Sequence, residues 1–265
     1  MDLGLADARV VVTGGASNIG RAIVHEFAGE GARVVISDID GPQAEKVRAE
    51  ALERGAAAVQ LAIADLTEPE GADGAIGSAL QAWGGVDVLV NNAGWSVPGF
   101  IATDTDRDKW QRTIEINLFS AIAATQAAIG PMKDGGGGSI VFIASDAAFG
   151  QIRQGVYGAS KAAMVALART TAREHGRHGI RSNVVCPGLV IPDGPDAVGA
   201  ASLWAVGQDN VFNQNQIDYM LKDTPMRRLT TAADVARAVV WFSSARAARQ
   251  VTGQLISVSG GYTMP

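Results

Sequence analysis

Short runs of β-branched and aliphatic residues alternate along the chain with longer runs whose apolar positions recur at helical spacing. Arg9–Thr13, Arg33–Ser37, Ala57–Ile63, Val86–Val90, Ser139–Ala144, Ile180–Val185 and Gln254–Val258 predict strands. Ile19–Gly29, Pro42–Arg54, Pro69–Trp83, Trp110–Pro131, Gly155–His175 and Ala232–Ser244 predict the helices between them. Strands that are apolar without interruption are buried on both faces, as in parallel sheets covered by helices. The alternation predicts an α/β fold: one doubly wound Rossmann-type parallel sheet of about seven strands with helices on both faces. Residues 1–265 read as a single domain. The one long segment without a strand is Ile191–Thr224, and a stretch of that length in a compact domain is expected to be a substrate lid, at about 191–224.

The turn after the first strand, Thr13–Gly20, is built of small residues and opens a helix. Gly14, Ser17, Asn18, Ile19 and Gly20 would let backbone N–H groups and the positive helix end approach a pyrophosphate. An ordinary tight turn is the alternative for this motif alone. The second strand runs into Asp38, 18 positions beyond Gly20, where a carboxylate can accept hydrogen bonds from an adenosine ribose. The same carboxylate would repel a 2′-phosphate, and Thr13–Gly20 carries no Arg or Lys to attract one. Both features point to NAD rather than NADP.

Tyr157 and Lys161 stand four apart at the start of a predicted helix, so they share a face. An ammonium beside a phenol stabilises the phenolate and is expected to lower its pKa from about 10. Such a tyrosine can act as general base on an alcohol or general acid on a carbonyl. Ser145 ends the fifth strand, on the edge of the sheet where open α/β folds bind ligands.

Taken in order, these residues resemble the short-chain dehydrogenase/reductase family over nearly the whole chain. Thr13–Gly20 is similar to its phosphate turn, Asp65 and Leu66 to its adenine-contacting pair, and Asn91, Asn92, Ala93 and Gly94 to its motif after the fourth strand. Asn117, Ser145, Tyr157 and Lys161 match its catalytic tetrad, and Pro187, Gly188 and Val190 its turn against the nicotinamide. The resemblance implies Tyr157 as acid/base and Lys161 as holder of the nicotinamide ribose. It implies Ser145 as the group that orients the substrate oxygen, and Asn117 as the residue positioning a water that links Lys161 to solvent. It also implies Trp95, Gln151 and Gln154 as pocket residues, with Arg153 either beside them or on the surface. In the segment 191–224 itself, Trp204, Val211, Phe212, Tyr219, Met220 and Leu221 either cover a pocket as substrate contacts or only pack the segment onto the body, and Gln208, Asn210, Asn213, Gln214, Asn215 and Gln216 supply amides there. A medium-sized, cyclic or aromatic secondary alcohol and its ketone are the expected small-molecule substrates. A homotetramer is implied too, with Ala162, Ala163, Ala166 and Ala168 allowing close helix contact. Three positions depart from the family: Asn18 stands for a glycine, Pro192 for a threonine and Ser259 for a frequent aspartate.

Composition narrows the remaining classes. A net charge of −5 with no basic block leaves no electrostatic footprint for nucleic acid or an anionic membrane. No apolar run reaches the roughly 18 residues of a membrane span. The single cysteine, Cys186, excludes an internal disulfide and fits a reducing cytoplasmic location, as a small buried hydrophobe. His175 and His178 read as a solvated helix end rather than metal ligands, and no metal is expected. The alternatives are an NADPH-type 3-oxoacyl-thioester reductase and a non-catalytic dinucleotide-binding sensor. A nucleotide-sugar epimerase would need more chain after Gly188 than is present.

Overall fold

The computed structural model describes residues 2–68, 70–206 and 212–265. Among them, β1 (Arg9–Thr13), β2 (Arg33–Asp38), β3 (Ala58–Ile63), β4 (Val88–Asn91), β5 (Gly138–Ile143), β6 (Ile180–Pro187) and β7 (Leu255–Val258) form one sheet. Its order is β3-β2-β1-β4-β5-β6-β7 and every pairing is parallel. Alternate residues of each strand face opposite layers. Val10, Val12, Val34 and Ile36 pack under α1 (Asn18–Gly29), α2 (Gly41–Glu53) and α8 (Ala232–Ser243). Val11, Val35, Leu89, Ile140 and Phe142 pack under α3 (Gly71–Trp83), α5 (Ser120–Asp134) and α6 (Gly155–His175). Phe27 and Phe242 fill one layer, Phe142, Met132 and Met164 the other, all fully buried. Cys186 belongs to the second layer, and burial pushes its thiol up to about 12, so it is inert packing.

Three elements differ from the sequence reading. The helix expected over Trp110–Pro131 is three pieces. α4 (Arg107–Ile114) starts earlier because the Asp106 side chain accepts from Lys109 N–H at 3.0 Å. A π-helical turn, Glu115–Phe119, then inserts one extra residue per turn, and α5 runs through Pro131 to Asp134. The proline is tolerated one turn from the helix end, where a single ladder bond is lost. The strandless segment Ile191–Thr224 contains α7 (Gln214–Asp223), started by a reciprocal capping box between Asn213 and Gln216. Ala168, expected on an outer face with Ala162 and Ala166, is fully buried in the core, whereas those two are exposed. A helix turns about 100° per residue, so Ala168, two positions on, falls on the opposite side from Ala166.

From β1 the chain builds outward in one direction to β2 and β3 and in the other to β4. This topological switch opens a crevice at the carboxyl ends of the strands. Side chains pin the two central strands there. Thr13 Oγ1 donates to the Val90 carbonyl (3.2 Å) and accepts from the N–H groups of Asn92 (3.0 Å) and Ala93 (3.1 Å). Asn92 Nδ2 donates to the carbonyls of Thr13 (2.9 Å) and Gly14 (2.8 Å). The turn is closed so tightly that a Cβ on Gly20 would lie 1.9 Å from the Gly14 oxygen and 2.6 Å from Asn92 Nδ2. Gly20→Ala is therefore expected to destabilise the protein by about 2 kcal/mol and lower Tm by about 5 °C in a thermal melt. An unchanged Tm would mean that the turn relaxes freely.

Candidate active site

The crevice is a cleft of about 930 Å³, large enough for a dinucleotide portion and a small substrate. Its first end is made by the β1–α1 turn and the tips of β2 and β3. Gly14 has φ +61°, which glycine adopts freely, and Asn18 has φ +43°, which asparagine tolerates better than other side chains. Ser17 caps α1 in position only. Its hydroxyl accepts from Gly199 N–H at 2.8 Å and makes no bond to the helix's own N–H groups. The first-turn donors thus have no side-chain cap, which fits an anionic group at this helix end. Asn18 Nδ2 reaches the Val190 carbonyl at 3.4 Å, joining the β1–α1 turn to the segment after β6. Val190 lines the cleft beside Pro187 and Gly188, while Pro192 does not.

Asp38 sits at the tip of β2. Its carboxylate accepts from the N–H groups of Ala16 (2.9 Å) and Asp40 (3.1 Å). Burial raises its pKa despite those bonds, and the neighbouring Asp40 charge adds to the rise. Asp40, Asp65, Leu66 and Thr67 line the same end, where the charged side chains are all carboxylates. Asp65 holds its own turn through Thr67 N–H (2.9 Å) and Thr67 Oγ1 (2.7 Å).

At the far end the tips of β4 and β5 and the start of α6 converge. Ser145, Tyr157 and Lys161 all line the cleft. Lys161 Nζ lies 5.7 Å from the Tyr157 ring centroid and donates to the Ile143 carbonyl at 2.9 Å. Ser145 Oγ accepts from Ala147 N–H at 3.1 Å and donates to Asp146 Oδ1 at 3.2 Å. Burial pushes the Tyr157 hydroxyl up to about 12, against the pull of the Ser145 hydroxyl beside it. Burial also lowers Lys161 to about 8. Burial therefore moves the Tyr157 value upward, where the spacing with Lys161 led one to expect a fall.

Asn117 is fully buried behind the cleft wall instead of lining it. The π turn directs it inward, where its amide accepts from Trp95 N–H (2.7 Å) and donates to the Trp95 carbonyl (3.0 Å) and Ser160 Oγ (3.0 Å). Gly94 is where these groups meet. A Cβ there would lie 3.1 Å from Lys161 Nζ and 3.3 Å from Asn117 Oδ1.

Trp95, Gln151, Gln154 and Trp204 line the cleft. Ser96 Oγ donates to Gln154 Oε1 at 3.1 Å, and Tyr262 OH to Gln151 Oε1 at 3.4 Å. From the segment between β6 and β7, Trp204 and Phe212 stack at 6.2 Å, and Asn213, Asn215, Gln216, Tyr219 and Met220 reach the cleft. Gln214 is instead paired with Asp218 at 2.8 Å. Gln208, Asn210 and Val211 lie outside the described residues. Among the cleft residues not singled out from sequence are Arg112, Asp146, Ile152 and Tyr262. Only Asp146, adjacent to Ser145, carried a signal. The Arg112 guanidinium lies 5.3 Å over the Trp95 ring, and that of Arg153 lies 5.4 Å over Phe100. The rings of His175 and His178 lie 6.4 Å apart and tilted by 37°, and no cluster of three metal-binding side chains occurs among the described residues.

Comparison with known proteins agrees with this geometry. Residues 14–263 match the family model described as enoyl-(acyl carrier protein) reductase. The chain is 34% identical over 264 residues, 99% of both chains, to (2S)-[(R)-hydroxy(phenyl)methyl]succinyl-CoA dehydrogenase from Thauera aromatica. It is 36% identical to L-rhamnose 1-dehydrogenase (NAD(P)(+)) of a Sphingomonas species, over 95% of this chain and 94% of that one. Among solved structures it resembles 7α-hydroxysteroid dehydrogenase complexed with NADH and 7-oxo glycochenodeoxycholic acid. There the TM-score is 0.88 at 33% identity, covering 98% of this chain and 96% of the other.

Proposed function

The chain belongs to the short-chain dehydrogenase/reductase family of oxidoreductases, and we propose that it interconverts a secondary alcohol and its ketone using NAD, with Tyr157 as acid/base. One observation carries this reading: Tyr157, Lys161 and Ser145 converge at one end of a switch-point cleft whose other end is lined by Asp38, Asp40 and Asp65. The α1 N-terminus and the Gly14–Gly20 turn would hold the pyrophosphate, Asp38 the adenosine ribose, and Lys161 the nicotinamide ribose. When bound, NAD supplies the hydride acceptor. Tyr157 takes the hydroxyl proton of the alcohol as its C–H bond breaks, and returns that proton to the carbonyl oxygen in the reverse direction. Ser145 holds the reacting oxygen. Lys161 favours the phenolate electrostatically, as does a cationic nicotinamide ring. Asn117, through Trp95 and Ser160, fixes the wall on which Lys161 and Gly94 meet.

The lid, residues 191–224, brings Trp204, Phe212 and Met220 over the substrate half, which supports a medium-sized cyclic or aromatic alcohol. Arg112 and Arg153 are in no ion pair among the described residues, so an anionic group on the substrate beyond the reacting carbon is favoured. The exposed Ala162 and Ala166 on α6 support close packing of copies in a homotetramer. A buried, unreactive Cys186 is at home in a reducing cytoplasm.

The test is a panel of cyclic and aromatic secondary alcohols, their carboxylate-bearing analogues and 3-oxoacyl-CoA thioesters, assayed with NAD(H) and NADP(H) by nicotinamide absorbance. The expected result is NAD-linked turnover that favours the anionic substrates. Preference for NADPH with the thioesters would support the thioester reductase, which the description of the matched family model favours. Tight NADH binding with no turnover on any substrate would support the sensor.

A further inference from the structure

Asp146 takes no part in the chemistry above, yet it is buried in the reacting end of the cleft at 7% exposure. It is the first residue of a short 3-10 turn, Asp146–Phe149, capped by Ser145. Its Oδ1 accepts the Ser145 hydroxyl at 3.2 Å. The titratable groups facing it are the phenol of Tyr157 on α6, the thiol of Cys186 on β6 and the phenol of Tyr262 near the C-terminus; each feels its charge. None is a cation. Asp146 has no ion-pair partner among the described residues, and the Lys161 ammonium is committed to the Ile143 carbonyl.

A serine hydroxyl has one proton to give and two lone pairs to receive with. At Ser145 one lone pair is taken by Ala147 N–H, and Asp146 Oδ1 competes with the Tyr157 oxygen and the cleft for the single proton. A carbonyl oxygen, and the oxyanion that develops from it, needs a donor there. We propose that Asp146 is a positioning residue that sets the direction of the Ser145 hydroxyl. Neutral Asp146 donates to Ser145 Oγ and releases the serine proton to the substrate oxygen. Ionised Asp146 takes the serine proton and withdraws that donor. The only net change is one proton exchanged between Asp146 and solvent.

The electrostatics place this switch in a useful range. Burial without a cation pushes Asp146 up to about 6. As pH rises through that value the carboxyl ionises, and kcat/KM for ketone reduction is expected to fall. Loss of the Tyr157 proton does not explain such a fall, because the Asp146 charge raises the Tyr157 pKa further.

The inference rests on the redox reading above, and the experiment separates the two. Ketone reduction by NADH is measured from pH 5 to pH 8.5 for wild type, Asp146→Asn and Asp146→Ala. The phenols of each protein are titrated by ultraviolet absorbance, with Tyr157→Phe identifying the Tyr157 step. Wild type is expected to lose about tenfold in kcat/KM between pH 6 and pH 8. Both variants are expected to be flat in that range, since neither can take the serine proton as a carboxylate. The Tyr157 step should move to lower pH in both. Retention of the same falling limb in either folded variant, or no limb in wild type, overturns the role of Asp146 and leaves the redox reading standing. Absence of turnover in wild type with every ketone overturns both.

Discussion

Tyr157→Phe is expected to lower kcat/KM for alcohol oxidation by about 10³-fold while leaving NADH affinity within about twofold of wild type. The substitution removes one hydroxyl and keeps the ring, so the start of α6 stays packed and Tm should move little. Fluorescence titration with NADH and a thermal melt verify that the site and the fold survive, and initial rates read the loss. A base whose ordinary value is pushed upward is mostly protonated at neutral pH, so the wild-type oxidation rate should climb as pH rises. The phenylalanine variant should lack that climb. A variant that oxidises alcohols at the wild-type rate would show that another group moves the proton.

The reason Tyr157 could be chosen from sequence is also the reason its pKa could not. Spacing four apart on a helix fixes which side chains share a face, and Tyr157 and Lys161 do line one cleft. Spacing says nothing about desolvation. That depends on the tips of β5 and β6 and on Asp146, brought together only by the folded sheet. The strands were legible for the same local reason, since each is a short apolar run bounded by turn residues. The π turn at Glu115–Phe119 was not, because its apolar pattern is that of an α-helix and only the inward aim of Asn117 reveals the extra residue. The resemblance placed Asn117 in the catalytic group, and only the fold shows that its side chain binds Trp95 and Ser160 behind the wall. α7 was hidden by its composition. Gln214, Asn215 and Gln216 carry no apolar stripe, and the helix depends on the Asn213 capping box together with one buried residue, Ile217. Arg112 and Tyr262 reach the site from distant parts of the chain, and no local signal marks either as a neighbour of Ser145.

Cofactor choice is the second place where one side chain is expected to decide a large effect. Asp38→Asn keeps the shape of the residue and removes its charge. The ratio of kcat/KM with NAD to that with NADP is expected to fall by about 10²-fold, roughly 2.7 kcal/mol of discrimination. Part of the change is weaker NAD binding, because an amide oxygen accepts from a ribose hydroxyl less strongly than a carboxylate does. The rest is relief of repulsion toward a 2′-phosphate at an end of the cleft lined by Asp38, Asp40 and Asp65. Asp40 and Asp65 remain, so the variant should not become NADP-selective. The pH dependence has a definite sign. Burial raises the Asp38 pKa, so the carboxylate is present above that value and is lost as pH falls through it. Wild-type selectivity for NAD should therefore weaken toward acid, while that of the variant should respond only to titration of the phosphate itself. Initial rates with both coenzymes at acidic and neutral pH measure the two ratios. Equal ratios in wild type and variant would mean that the surrounding backbone, not the Asp38 charge, selects the coenzyme.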